Sequence, residues 1–259
     1  MNLIFFAILI AYVVVGTIIA MVSKKLFKEK SLSEYYTGGG RFGGILLFAA
    51  YAATTYSAFM MIGLVGLAYE TGVGALGFEL VYLVSTIFLL STAGFEIWRI
   101  SRERKWISPS QMLSDLYRSR VLGLIVSMIY LYAMLPYLSA QILGLKAVFS
   151  YGGLGKIEAL ITSALITYAW IFVAGAWSVA ATDLYQGILM LFGGLSYLTW
   201  VLFSLTPRGG DVATLFTVLG ERGYLGITGF WSISVFLAYT LPWAFFSMTN
   251  PQVVLRLYY

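Results

Sequence analysis

The stretch FGGILLFAAYAATTYSAFMMIGLVGLAY, residues 42–69, contains 28 residues and no charged side chain. A straight α-helix of that length would be about 42 Å long, whereas the hydrocarbon core of a bilayer is about 30 Å thick. Small and hydroxylated residues are concentrated at its centre, from Ala49 to Ala58. They favour either a face on which helices pack closely or an unwound midpoint whose carbonyl and hydroxyl groups bind a cation. The stretch therefore predicts a membrane helix that is strongly tilted or broken.

The rest of the chain has the same membrane character. Of its 259 residues, 60% are hydrophobic and 10% are charged, and there is no Cys and no His. This composition excludes a water-soluble globular enzyme, a disulfide scaffold, a Cys/His zinc site and a His-based catalytic triad. The net charge of +5 does not indicate nucleic-acid binding, because the charges lie in short loops between apolar runs. We predict an all-α, multi-pass membrane protein.

Seven apolar stretches can cross a bilayer, which requires about 20 residues each. The third reaches this length only when it is extended back through Glu79. The first lacks the basic start and the cleavage site of a signal peptide, so we expect it to remain as a membrane helix. All seven are expected to form one transmembrane domain over residues 1–259. The predicted spans are residues 2–23, 42–69, 73–97, 121–145, 158–177, 182–205 and 226–249.

The basic residues predict the orientation of these spans. Twelve Lys and Arg side chains fall in the loops of one side and four in those of the other. Because basic loops stay in the cytoplasm, we expect the N-terminus outside and the C-terminus inside. The longest hydrophilic stretch, Arg99–Arg120, contains Ser108 followed by Pro109. This pair predicts a short helix on the inner surface, with Ser108 as its N-cap.

The seventh stretch, Gly223–Leu255, is also too long for one simple helix. Pro242 removes a backbone hydrogen bond near its middle, and Trp243 and Phe246 follow. One interpretation is a proline kink with aromatic rings packed on neighbouring helices. The other is a discontinuous helix that lines a solute cavity. Two interrupted spans in corresponding positions are typical of the binding site of inverted-repeat transporters.

Three polar side chains fall in apolar surroundings. Glu79 lies one to two turns inside the third span, and Asp183 lies at the inner end of the sixth. Acids within a membrane are costly and usually functional. Glu79 could instead accept backbone hydrogen bonds at the interface, and Asp183 could cap a helix. Gln141 follows Pro136 in the fourth span, and its amide needs a partner, which a neighbouring helix could provide.

Five motifs occur in order along these spans. They are Tyr35–Arg41 before the second span, Ala53–Ala58 with Gly63–Tyr69 inside it, Leu135–Tyr137 with Gln141 in the fourth, Gly175–Gln186 between the fifth and sixth, and Asn250–Arg256 at the end of the seventh. Together they resemble the motifs of the sodium/solute symporter family, whose members carry proline, pantothenate or sugars. Thr55 stands where the proline carriers of that family have Asp, and Gln252 stands where the family motif has His.

The resemblance implies a five-plus-five inverted-repeat fold of the leucine-transporter type, preceded by one extra helix. The second to sixth spans would form the first repeat, and the seventh would open the second. On this basis the sequence corresponds to the N-terminal part of a carrier. The remaining helices would then come from a longer gene product or from a second chain.

The resemblance also implies two sites and an exit path. Two backbone carbonyls would bind Na⁺ at the break of the second span, and two neighbouring hydroxyls would orient that site or contact the solute. A pocket for the solute would lie between the third, fourth and seventh spans. The implied residues are Ala53 and Tyr56 with Thr55 and Ser57 for Na⁺, Glu79, Gln141, Trp243 and Phe246 for the solute, and Asp183 for the exit path of the ion.

The expected function is sodium-coupled symport of a small organic solute across the cytoplasmic membrane. Na⁺ would be the coupling ion, no organic cofactor is expected, and the partners would be the lipid bilayer, the solute and Na⁺. The sequence does not indicate an enzyme. A proton-coupled symporter, a transporter-like membrane sensor and a non-functional fragment are the alternatives. In the proton-coupled case Glu79 and Asp183 would be the buried acids that carry the proton.

Overall fold

The computed structural model describes residues 2–27, 31–173, 175–205, 211–226 and 229–259, and these residues form helices and connecting loops without a β-strand. Residue 174 of the predicted fifth span and residues 227 and 228 of the predicted seventh lie outside this set. The helices in chain order are α1 (Leu3–Leu26), α2 (Leu32–Thr37), α3 (Gly44–Thr55), α4 (Leu64–Thr71), α5 (Gly74–Leu89), α6 (Phe95–Arg104), α7 (Pro109–Leu116), α8 (Arg120–Tyr151), α9 (Lys156–Val173), α10 (Ala176–Leu205), α11 (Val212–Glu221), α12 (Ile233–Ala244), α13 (Phe246–Thr249) and α14 (Pro251–Leu255).

Four of the described helices are long and apolar enough to cross a membrane, and a bent helix pair brings the number to five. The four are Leu3–Leu26, Gly74–Arg104, Arg120–Tyr151 and Ala176–Ser204, with α5 and α6 joined through a π-helical turn. Large apolar side chains on these helices face outward, as expected where lipid replaces water as the solvent. The chain is therefore an all-helical integral membrane protein.

The bent pair, Gly44–Thr55 with Phe59–Thr71, corresponds to the long uncharged stretch of residues 42–69. Helix α3 ends at Thr55, and the chain resumes as the π-helical turn Phe59–Gly63, which leads into α4. The two halves differ in direction by 56°. Tyr56, between them, has an extended backbone with φ −73° and ψ 96°. The predicted break near Ala53–Ser57 is confirmed.

Close helix packing occurs in the same stretch, one turn before the break. Helix α3 lies along α10, and Ala50 on α3 and Ala180 on α10 are both fully buried in that contact. Side chains of one carbon let the two backbones approach closely. The stretch thus contains both a face on which helices pack closely and, after it, a break.

In the described part of the seventh stretch, helix begins at Ile233 and is interrupted twice after that, but neither interruption lies at Pro242. That proline is inside α12, whose helix continues to Ala244. The helix stops at Phe245 and again at Asn250, whose side chain accepts hydrogen bonds from the N–H groups of Gln252 and Val253. Asn250 therefore caps α14, in which Pro251 occupies the first position, where no N–H is needed.

Other local expectations have mixed outcomes. Helix α7 is present, and the Ser108 hydroxyl accepts a hydrogen bond from the Gln111 N–H, so the predicted N-cap is confirmed. Pro136 does not interrupt α8, which is one helix of 32 residues. Helix α11, capped by Asp211, was not expected from the sequence. The interpretation of Asp183 as a helix cap is wrong, because α10 begins at Ala176, two turns earlier.

Four helix pairs hold the described part of the bundle together. Helices α1 and α3 pack on α10, α5 packs on α12, and α8 packs on α9. Side chains of α1 and α10 also exchange hydrogen bonds with backbone: the Ser23 hydroxyl donates to the Trp177 carbonyl, and the Ser178 hydroxyl donates to the Ala20 carbonyl. The broken helix is hydrogen-bonded to α8 through Gln141 and to Arg256, the residue that follows α14.

Candidate ion and solute sites

The break exposes carbonyl oxygens that an unbroken helix would use. The last turn of a helix lacks intrahelical donors for its carbonyls. In α3, the Ala52 carbonyl is satisfied by the Tyr56 N–H at 3.0 Å and by the Thr55 hydroxyl at 2.8 Å. The carbonyls of Ala53, Thr54 and Thr55 follow it at the end of the helix. A group of carbonyl oxygens at an unwound membrane helix is suited to a small cation.

Donors that would continue the helix are directed elsewhere. The Ala58 N–H, which would reach the Thr54 carbonyl in a continuous helix, donates instead to Gln141 Oε1 at 2.8 Å. The Met60 N–H donates to the Ser57 hydroxyl at 3.4 Å. The second half of the broken helix is thus capped by side chains, and the carbonyls at the break stay available for another partner.

The four residues expected to hold the ion all lie at this break. Ala53 and Thr55 are in the last turn of α3, and Tyr56 and Ser57 form the non-helical link. The Tyr56 side chain is half exposed, so its ring does not close the site. Ala53 and Tyr56 also border an apolar groove of about 330 Å³ between α3 and α10, lined further by Leu184, Gly187 and Ile188.

Gln141 lies at the break and not with the other residues expected to bind the solute. Its Oε1 accepts from Ala58, while its Nε2 is buried without a hydrogen-bond partner among the described residues. One turn earlier on α8, the Tyr137 hydroxyl accepts a hydrogen bond of 2.6 Å from Gln252 Nε2 on α14. A single turn of α8 therefore contacts both interrupted helices.

Glu79, Trp243 and Phe246 come together between α5 and the α12–α13 segment. The Trp243 indole donates from Nε1 to Glu79 Oε1 at 2.8 Å, and the ring centroids of Trp243 and Phe246 are 4.8 Å apart. Glu79 is 7% exposed. Phe59, two residues beyond Ser57, packs edge-on against Trp243 at 5.5 Å. The aromatic cluster thus adjoins the second half of the broken helix.

Asp183 is paired with a residue that the sequence analysis did not single out. Arg256 donates from Nη2 to Asp183 Oδ2 at 3.1 Å and from Nε to the Thr54 hydroxyl at 2.8 Å. The sequence offered one signal for this pair, an acid and a base of opposite charge at the inner ends of the sixth and seventh predicted spans. Because the two residues are 73 positions apart, the sequence did not predict their contact.

A membrane protein with a broken helix, free carbonyls at the break and a buried acid beside it has the features of a secondary transporter. Comparison with known proteins narrows that class. The model of the sodium:solute symporter family matches residues 35–253, and the chain belongs to this family. The family consists of transporters and not of enzymes.

Several curated proteins are similar to the chain. The sodium/pantothenate symporter of Haemophilus influenzae is 26% identical over 84% of this chain and 47% of its own length, and that of Escherichia coli is 27% identical over 81% and 44%. An uncharacterized symporter of Bacillus subtilis, YhjB, is 28% identical over 65% of this chain and 36% of its own length. The chain therefore spans a third to a half of these relatives. No solved structure matches it.

Proposed function

We propose that these residues form the N-terminal part of a sodium-coupled symporter for a small organic solute in the cell membrane. The observation that carries the proposal is the break after Thr55, where the helix ends and its last carbonyls face no helical donor. Membership of the sodium:solute symporter family and the similarity to two sodium/pantothenate symporters support the choice of sodium. A second chain has no support in the comparisons and is not proposed.

The proposed architecture has seven spans, with the N-terminus outside and the C-terminus inside. Helix α9 and the α12–α14 segment would add two spans to the five that length and composition identify. The second to sixth spans would form the first repeat of a five-plus-five inverted-repeat fold, and the seventh would open the second. The interrupted helices α3–α4 and α12–α14 support this assignment, since such pairs mark the repeat interface of transporters.

In the proposed ion site, Na⁺ binds the carbonyls of Ala53 and Tyr56, with Thr55 and Ser57 orienting the break. These groups form only part of a coordination shell, so the complete carrier would supply the other ligands. Sodium moving inward releases about 2.3 kcal/mol per charge for each 100 mV of membrane potential. This energy would drive solute uptake.

In the proposed solute pocket, Glu79 accepts hydrogen bonds from the solute, and Trp243 and Phe246 cover its apolar part. The free Nε2 of Gln141 offers a donor between the two sites. The Phe59–Trp243 contact links the ion break to the pocket and provides a route by which occupation of one site affects the other. Asp183, on the inner side, would act late in ion release.

The test is solute uptake by the complete product of the gene in proteoliposomes, with a sodium gradient or a choline gradient. Pantothenate, proline, monocarboxylates and sugars are offered in turn. We expect uptake of one class in sodium only. Ser57→Ala should raise the half-saturating sodium concentration up to roughly 10-fold, because the break loses a hydroxyl that orients its carbonyls. Ser91→Ala, on the exposed side of α5–α6, is the matched control. Uptake that ignores sodium and follows pH would support proton coupling, and no uptake of any solute would favour the sensor or the fragment.

A further inference from the structure

Arg256 binds three groups from three parts of the chain. Its Nη2 donates to Asp183 on α10, its Nε donates to the Thr54 hydroxyl in the last turn of α3, and its Nη1 donates to the Tyr259 hydroxyl. The guanidinium carbon also lies 4.8 Å from the centroid of the Tyr259 ring. The planar, five-donor guanidinium can hold such divergent partners at once, which a lysine ammonium cannot do with the same geometry.

The Arg256–Asp183 pair is buried, and Thr54 connects it to the break that follows α3. The side chains of Arg256 and Asp183 are 11% and 13% exposed, so each charge needs the other. The Thr54 hydroxyl donates to the Ala50 carbonyl within α3 at 2.7 Å and accepts from Arg256, so it joins the arginine to the backbone of that helix. Thr54 lies between Ala53 and Thr55, whose carbonyls end the helix.

We propose that Arg256 is a positioning residue of the ion site. By holding Thr54 while its charge is anchored on Asp183, Arg256 fixes the last turn of α3 against α10 and α14. The carbonyls at the break then converge without a helical partner. Asp183 is in this arrangement the counter-charge of Arg256. The role in ion binding rests on the proposed function, but the effect on the conformation of the break does not.

A purely structural ion pair would make a different prediction. If the pair only stabilised the fold, loss of the Thr54 contact with the charges kept would leave the break unchanged. Arg256→Lys keeps the charge opposite Asp183, and attraction to that carboxylate would draw the ammonium away from Thr54. Thr54→Val removes the acceptor and leaves both charges intact. Both variants avoid the unpaired buried charge that Arg256→Ala would create and that could prevent folding.

The experiment uses the absence of cysteine from these 259 residues. Tyr56→Cys places a thiol at the break, on a half-exposed side chain, and keeps the backbone carbonyl that is the proposed ion ligand. Any cysteine of the full gene product outside these 259 residues is first replaced by serine, and the labelling rate by N-ethylmaleimide is measured in membranes in choline chloride. We expect Arg256→Lys and Thr54→Val each to raise the rate about tenfold, the worth of a hydrogen bond to a charged group. The double variant should raise it no further, because both changes remove the same contact. Thr199→Val, a hydroxyl on α10 bonded only within its helix, is the matched control and should leave the rate unchanged.

Equal labelling rates in all variants would overturn the proposal, and so would a double variant whose effect is the product of the two single effects. Measuring the same labelling rate over a range of sodium chloride concentrations separates this result from the proposed function. If sodium slows labelling of the parent, and each variant needs about ten times more sodium for the same effect, the positioning role and the sodium site are both supported. Rates that depend on Arg256 but ignore sodium would support the positioning role and contradict the sodium site.

Discussion

Glu79 and Trp243 are 164 residues apart in the sequence, and a hydrogen bond of 2.8 Å joins the Trp243 indole to the Glu79 carboxylate inside the protein. Tyr82 and Phe78, on the same helix as Glu79, also pack against the Trp243 ring, at 5.6 and 6.3 Å between centroids. The contact therefore combines a buried charge, its donor and an aromatic cluster, and it joins α5 to the end of α12.

Trp243→Phe should lower the stability of the protein because it leaves the buried Glu79 carboxylate without that donor. The cost of an unsatisfied buried acceptor is about 1–3 kcal/mol, and more when it is charged. Glu79→Gln should cost less, since the amide oxygen still accepts from the indole. Thermal unfolding in detergent measures both. Trp200→Phe, on an exposed face of α10, is the control. A Trp243→Phe protein as stable as this control would contradict the role of the hydrogen bond.

Gln141→Leu should loosen the start of the second half of the broken helix. The Ala58 N–H would lose its acceptor in a region where water does not replace it, at a cost of about 1–3 kcal/mol. Hydrogen exchange of a peptide covering residues 56–63 should become faster. Gln141→Glu keeps an oxygen acceptor and should exchange more slowly than the leucine variant. Ser139→Ala, whose hydroxyl bonds within α8, provides the baseline.

Gly144→Ala should disturb the same region through packing. A Cβ at this position would lie 2.6 Å from the Ala58 Cβ, so α8 and the broken helix would have to move apart. Overpacking of this kind costs about 1–3 kcal/mol. Gly193→Ala, whose Cβ would meet no atom within 4 Å, is the matched control on α10. Equal melting temperatures for the two variants would show that α8 is not in close contact with the break.

The orientation of the chain has a direct test. A reporter enzyme fused after Arg104 should be cytoplasmic, and one fused after Gly209 should be external, because twelve of the sixteen basic residues fall in the loops proposed to face inward. Alkaline phosphatase, active only outside, and a fluorescent protein, active only inside, give opposite readings at each position. Exchanged readings would reverse the proposed topology.

The sequence predicted features that depend on nearby residues. The break in residues 42–69 follows from a stretch too long for the bilayer with small, hydroxylated residues at its centre. The Ser108 cap follows from a hydroxyl residue directly before a proline. The interruption expected near Pro242 is absent, because a proline inside a membrane helix is tolerated when neighbouring groups satisfy the freed carbonyl. The interruptions lie instead at Phe245 and at Asn250, and at Asn250 side-chain capping competes with the helix.

Contacts between distant spans could not be predicted in this way. Gln141 was expected to need a partner, but no local pattern showed that the partner is the Ala58 N–H, 83 residues away. The Arg256–Asp183 pair was missed for the same reason. Only the packing of α3 on α10 brings Thr54 and Asp183 to one place, where a guanidinium can reach both. The sequence thus indicated which polar groups need partners, and the fold shows which partners they have.

Tyr137 and Gln141 are four residues apart and lie on the same face of α8, where they bind Gln252 and Ala58 respectively. Because both contacts lie within about one helical turn, a displacement of that turn of α8 would move both interrupted segments together. In the proposed symporter, such a displacement would couple the movement of the ion to that of the solute. We expect little leak current of sodium in the absence of solute. The current should be larger in Tyr137→Phe, in which the α14 segment is no longer hydrogen-bonded to α8.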